Sequence, residues 1–137
     1  MKRGFTLLEI IVVIIIIGVL ATLGFVQYSA VIEKARGAEA KSTIGVMRTQ
    51  LAALSLEKLG TDTVAKEDLG VGSGIPGTCQ PTNYFSYSVT GCTVASCTMT
   101  ATRCKSGGKT PNATIDGTIS LEYTSTGTDT WHTTGGY

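Results

Sequence analysis

The sequence predicts an α+β fold in which one long N-terminal helix packs, along its second half, on a small antiparallel sheet of three to four strands. Three observations carry this expectation. Residues 10–32 contain no Asp, Glu, Lys, Arg or His, and Ile10 to Ile17 is an unbroken β-branched run. No proline interrupts residues 5–59, whereas residues 60–137 hold all 3 prolines and 12 of the 17 glycines. From residue 84 onward, short segments alternate apolar and polar side chains with a period of two. At 137 residues and 14.3 kDa the chain is one small domain's worth of sequence. Its 11 basic and 10 acidic residues are spread along the chain, so it has no strong nucleic-acid signature.

The membrane-spanning part of the helix comes first. The run Ile10–Ile32 would measure about 35 Å as a helix, against a hydrocarbon core of about 30 Å. A lone strand would leave its amides unsatisfied in lipid, so the environment overrides the β preference of Ile and Val. Lys2 and Arg3 precede the run, and the positive-inside bias places the N-terminus in the cytoplasm and everything beyond Ile32 outside. A secretory signal peptide would have a shorter apolar core with its cleavage site after that core. Here the order is reversed, and a carboxylate, Glu9, stands at the head of the run. An acidic side chain at mid-membrane costs about 2.5 to 3.5 kcal/mol, and less at the interface. Glu9 is therefore either an interfacial residue that reaches the headgroups or one half of an ion pair formed on assembly.

Residues 33–59 read as the amphipathic half of the same helix. Ala40, Ile44, Met47, Leu51 and Leu54 recur at helical spacing on one face, with the charged residues Glu33, Lys34, Arg36, Lys41, Arg48 and Lys58 mainly off it. The stripe is too short to favour a coiled-coil seam over packing on a head domain. The helix is expected to end near Leu59, and residues 60–83, rich in Gly, Thr and Pro, read as a long surface loop. The head, residues 84–137, follows with strands expected at 84–90, 97–103, 118–124 and 129–133, the last centred on Trp131. A sheet of that size needs cover, and the stripe at 40–54 is the cover available.

Cys79, Cys92, Cys97 and Cys104 lie outside the membrane in an oxidising compartment, so disulfides are expected. Facing positions of an antiparallel hairpin have a nearly constant sum of residue numbers, and that rule favours nested bridges, Cys79 with Cys104 and Cys92 with Cys97. The rival is Cys79 with Cys92 and Cys97 with Cys104, but in a regular strand the latter two would lie about 23 Å apart, beyond disulfide reach. A zinc site from the same cysteines lacks a CxxC pair, so no metal and no cofactor is expected. His132 as a base with Cys104 as nucleophile fails if Cys104 is in a disulfide. Asp116, Glu122 and Asp129 form no compact calcium-ligand run, and the sequon Asn112-Ala113-Thr114 is a weak signal. The aromatics Tyr28 and Trp131 read as interface and small-core residues rather than an electron path. Arg103, Lys105 and Lys109 read as a solvated basic loop with too few charges to hold DNA. No catalytic arrangement emerges, and the chain reads as non-enzymatic.

The segment Lys2-Arg3-Gly4-Phe5-Thr6-Leu7-Leu8-Glu9-Ile10, followed by the apolar run, resembles the class III signal of type IV pilins and of the pseudopilins of type II secretion systems. The resemblance implies a pilin-like fold and a leader, residues 1–4, that a prepilin peptidase removes after Gly4. It implies N-methylation of the new N-terminus at Phe5, and neutralisation of a neighbouring subunit's amine by Glu9. That last role suits the physics, because an amine and a carboxylate in an apolar bundle are tolerable only as a pair. Cleavage would remove Lys2 and Arg3, leaving 9 basic against 10 acidic residues. Many members carry a proline where Val26 stands, and here none precedes Pro76, so helix weakening in the segment 5–32 falls to Gly18 and Gly24.

The expectation is thus a pilin of a type IV pilus-like filament, a helical homopolymer of identical subunits raised by the pilus assembly machinery. Before assembly it would sit in the bacterial inner membrane as a single-pass protein with its head outside, and afterwards at the cell surface. The alternatives are the major pseudopilin of a type II secretion system and, from another class, a membrane-tethered binding module. A mere anchor needs neither the Gly4-Phe5 junction nor Glu9. A disulfide-bonded head favours an exposed pilus, because crosslinked loops resist load and proteases.

Overall fold

The computed structural model describes residues 6–58 and 62–137. Its first element is the helix α1, Leu7–Glu57. The chain divides into two compact units, Met1–Lys34 and Ala35–Tyr137.

In the first unit the helix begins at a cap. The Glu9 amide donates to the Thr6 carbonyl at 3.2 Å and to Thr6 Oγ1 at 3.3 Å, and the Ile10 amide reaches the same carbonyl at 3.4 Å. Thr6 thus satisfies amides that a helix start leaves without partners. Beyond it the apolar side chains project on every side of the helix. Leu7 is 78% exposed, Phe25 75% and Ile11 41%. By length and composition the helix can cross a membrane.

In the second unit the residues of α1 change character. Ala40, Ile44, Met47 and Leu51 are wholly buried, and Leu54 packs partly buried against them. Their partner is a four-stranded antiparallel meander, β1 Phe85–Thr90, β2 Ser96–Arg103, β3 Thr118–Thr124 and β4 Thr130–Thr133, in that spatial order. The fold is α+β and pilin-like, a long helix packed on a small antiparallel sheet. Alternation sets which face is buried: Phe85 and Tyr87 on β1, Met99 and Ala101 on β2, and Ile119, Leu121 and Tyr123 on β3 line the core. In register, Tyr87 faces Ala101 and Ala101 faces Ile119, so the apolar side chains form continuous rows across the sheet.

Two features depart from the sequence expectations. Residues 62–83, read as a surface loop, contribute Val64, Leu69 and Val71 to the core, with a short 3₁₀ turn at Lys66–Leu69 between them. The segment also bonds to the sheet: the Tyr87 amide on the edge of β1 donates to the Pro76 carbonyl at 2.9 Å, and the Val64 amide to that of Cys92, between β1 and β2, at 3.0 Å. In the other departure, Trp131 stands opposite Leu121 yet is 44% exposed, and every residue of β4 is exposed. Both β1 and β4 are edge strands, but β1 buries Phe85 and Tyr87 in the core whereas β4 leaves all four of its residues exposed.

Tyr137 closes the head. Its ring packs edge-on against Phe85, centroids 5.6 Å apart. A Cβ added at Gly37 would lie 2.6 Å from the ring's Cδ1, so only glycine leaves room for it on the helix. Gly37 extends the buried stripe one step before Ala40, which the apolar count from Ala40 to Leu54 missed because glycine carries no hydrophobic signal.

Candidate functional site

The residues expected to act in processing, Gly4 and Phe5, lie outside the described residues. Glu9 stands at the third helical position after its cap, Thr6. There its carboxylate sits at the positive end of the helix dipole. The pattern Thr6-Leu7-Leu8-Glu9 has the spacing of a capping box, a local signal the sequence reading did not use. Glu9 thus combines a place favourable for negative charge with a position at the head of an apolar helix. Gly18 and Gly24 have nothing within 4 Å of where a Cβ would stand, so among the described residues no packing explains them. What remains is their effect on the helix itself, which glycine weakens by about 1 kcal/mol relative to alanine.

The head is stapled by two disulfides. Cys79 is joined to Cys104, Cα atoms 5.7 Å apart, and Cys92 to Cys97, 4.1 Å apart. The second closes the hairpin whose register pairs Thr90 with Thr98. The first ties the 71–83 segment to the end of β2. With Cys104 wholly buried in that bridge, it has no thiol to offer as a nucleophile. His132 instead lies 3.7 Å from Glu122.

Arg103, read from sequence as part of a solvated basic loop, is only 2% exposed. The period-two alternation explains this, since Cys97, Met99, Ala101 and Arg103 all point inward. Its Nη1 donates to the carbonyls of Tyr84 at 3.0 Å and Cys104 at 3.3 Å, and its Nη2 to that of Thr110 at 2.8 Å. The side chain thereby holds Tyr84, the residue before β1, and both ends of the loop 104–110. Lys105 and Lys109 remain exposed on that loop.

The acidic residues weighed for calcium are scattered, each beside a base: Asp116 with Lys105 at 2.8 Å, Glu122 with His132, and Asp129 with Arg48. Among the described residues no group of three or more His, Cys, Asp or Glu could hold a metal ion. A cleft of about 630 Å³ opens between Glu39 and Thr43 of α1 and the glycine-rich segment 71–78, with Tyr84 and Tyr87 on its wall. Burial pushes the Tyr87 phenol above its ordinary value; a hydrogen bond with Thr43 opposes the shift and the charge of Glu39 adds to it.

No solved structure matches the chain. Residues 1–25 match the family described as the prokaryotic N-terminal methylation motif. With its apolar helix and with Glu9 at the third helical position, the N-terminal segment carries the class III signal of type IV pilins and pseudopilins.

Proposed function

We propose that the chain is a pilin, the structural subunit of a type IV pilus-like filament. It is held in the inner membrane by α1, cut after Gly4 by prepilin peptidase and methylated at Phe5. Assembly by the pilus machinery then packs the N-terminal helices of identical subunits into the core of a surface fibre. The observation that supports this reading best is the pairing of a methylation motif with a helix whose apolar side chains face outward all round, headed by one carboxylate. Such a helix needs a partner that is apolar on every side, and lipid before assembly and neighbouring helices afterwards both qualify. Within that core the carboxylate of Glu9 pairs with the Phe5 amine of a neighbour and sets the register of each arriving subunit. Gly18 and Gly24 supply the local weakening of the helix that packing requires.

The test is the quantity of sheared fibres relative to the membrane pool of mature subunit. Glu9→Ala and Glu9→Gln should insert normally, be cut after Gly4 and form both disulfides, while fibre yield collapses, because the unpaired amine then carries a desolvation cost of several kcal/mol. Normal yield in both variants would make Glu9 merely interfacial and move the tethered-module reading ahead. Mass spectrometry of the same fractions should show loss of Met1 to Gly4 and a methylated Phe5. Electron microscopy separates a surface pilus from the short periplasmic fibre of a pseudopilin.

A further inference from the structure

We propose that one end of the head, formed by Arg36, Tyr84, Lys105 and Lys109, docks the subunit on anionic phospholipid headgroups of the membrane that holds its helix. The starting observation is a segregation of charge. Within Ala35–Tyr137, residues 35–41 and 103–116 carry five basic side chains, Arg36, Lys41, Arg103, Lys105 and Lys109, against Glu39 and Asp116. The rest of that unit carries three basic against six acidic. The basic segments converge on one ring: Arg36 Cζ lies 4.7 Å from the Tyr84 centroid, Lys109 Nζ 5.0 Å and Arg103 Cζ 5.7 Å.

The loop carrying the two lysines is held in place rather than draped. Cys79–Cys104 anchors its start and Arg103 grips both its ends, while the Lys109 amide donates to the Asn83 carbonyl at 2.8 Å. Presenting the Lys109 amine therefore costs little further ordering, while Lys105 exchanges its ion pair with Asp116 at 2.8 Å for a lipid phosphate. Location in the chain selects the partner. Arg36 follows Ile32, the last residue of the uncharged run, by four helical residues, about 6 Å of rise. The headgroup layer on each side of the hydrocarbon is about 5 to 7 Å deep. Along the helix α1, Arg36 thus falls one headgroup depth beyond the end of the uncharged run. Arginine and lysine beside a tyrosine, which has an apolar body and a polar tip, are the side chains that suit such an interface.

The inference rests on the membrane-held state of the proposed function and is independent of filament formation. To test it, the mature full-length chain is reconstituted in vesicles of phosphatidylcholine alone or with added phosphatidylglycerol, and amine-reactive labelling of each lysine is read by mass spectrometry. Lys105 and Lys109 should be protected only when phosphatidylglycerol is present and recover at high salt, with Lys58 at the opposite end as an unprotected control. Arg36→Gln should weaken the docking equilibrium about fivefold, the effect of one basic group near an anionic leaflet. Equal labelling in the two kinds of vesicle would overturn the proposal. So would protection produced in phosphatidylcholine vesicles by soluble glycerol phosphate, which would assign the site to the free anion. Protection that needs no anionic lipid and grows with protein density would assign the basic end to the acidic end of a second copy. Co-flotation with the vesicles reports insertion separately: a chain that fails to insert overturns the membrane reading as well, whereas insertion without lipid-dependent protection overturns the docking alone.

Discussion

Residues 7–32 and 35–57 belong to one helix, yet they treat hydrophobic side chains in opposite ways. In the first stretch, among the described residues, Ile, Val and Leu point outward and none of them is buried. The second spends few large apolar residues and buries those on one stripe, with Ala40, Ile44, Met47 and Leu51 at 0% exposure, while Val46 and Leu56 lie off the stripe and stay exposed. A helix apolar all round suits lipid or a bundle of like helices, whereas a striped helix suits one partner surface and water on the other side. Secondary structure is therefore the same in both stretches while the stabilising surroundings differ. For the first they must come from outside the folded subunit, and for the second they come from its own sheet.

Core truncation is the sharpest way to test that difference. Met47→Ala should destabilise the head by about 2 to 5 kcal/mol, because it removes buried methylenes and leaves a cavity. Ile14→Ala in the outward-facing stretch should leave head stability unchanged. Denaturant unfolding followed at Trp131 would compare them, and equal losses in both would show that the two stretches are not independent.

Replacing the disulfides should cost nearly as much, and only in the second unit. By the loop-entropy model, opening the Cys79–Cys104 bridge, with its sequence separation of 25, lowers head stability by about 3.5 kcal/mol. The same model gives about 2 kcal/mol for Cys92–Cys97. Serine pairs at each site, measured by thermal melting, should keep that order while leaving membrane insertion unaffected.

Glycines carry the contrast to single positions. Gly37→Ala should destabilise the head by about 1 to 3 kcal/mol, since the new methyl group meets the Tyr137 ring. Gly18→Ala and Gly24→Ala meet nothing and stiffen the helix by up to about 1 kcal/mol each. They should leave head melting unchanged and, under the proposed function, lower fibre yield. A stabilised Gly37→Ala head would show that Tyr137 is not seated on the helix.

The smallest expected effect is alkaline. The buried Tyr87 phenol titrates above its unfolded value of 10.0 in the folded head. Below that pH both states keep the proton and Tyr87 adds no pH dependence. As pH rises past 10.0 the unfolded chain ionises first, so stability falls until the folded value is passed. Urea melts on either side of that pH should show the loss in the wild type and a shallower one in Tyr87→Phe.

Much of this was legible in the chain before any coordinates, because periodicity and composition are local. The uncharged run announces a membrane-compatible helix, spacings of three and four announce the stripe, and alternation places β1 to β3 within one residue of their observed ends. The same alternation could have shown that Arg103 faces inward, but its charge argued for the surface. What local pattern could not supply was the partner of each group. Val64, Leu69 and Val71 sit in an aperiodic, polar stretch, and their burial depends on the β1 edge and the helix they cover. Gly37 became a contact only because Tyr137, a hundred residues away in the chain, returns to it. The convergence of Arg36 and Lys109 on Tyr84 likewise joins three distant segments. Helix, strand and membrane preference follow from side chains within a few residues of one another, so the sequence alone decides them. Which carbonyls hold a buried guanidinium, and which charges gather at one end of the head, depend on long-range closure, and only the tertiary structure decides those.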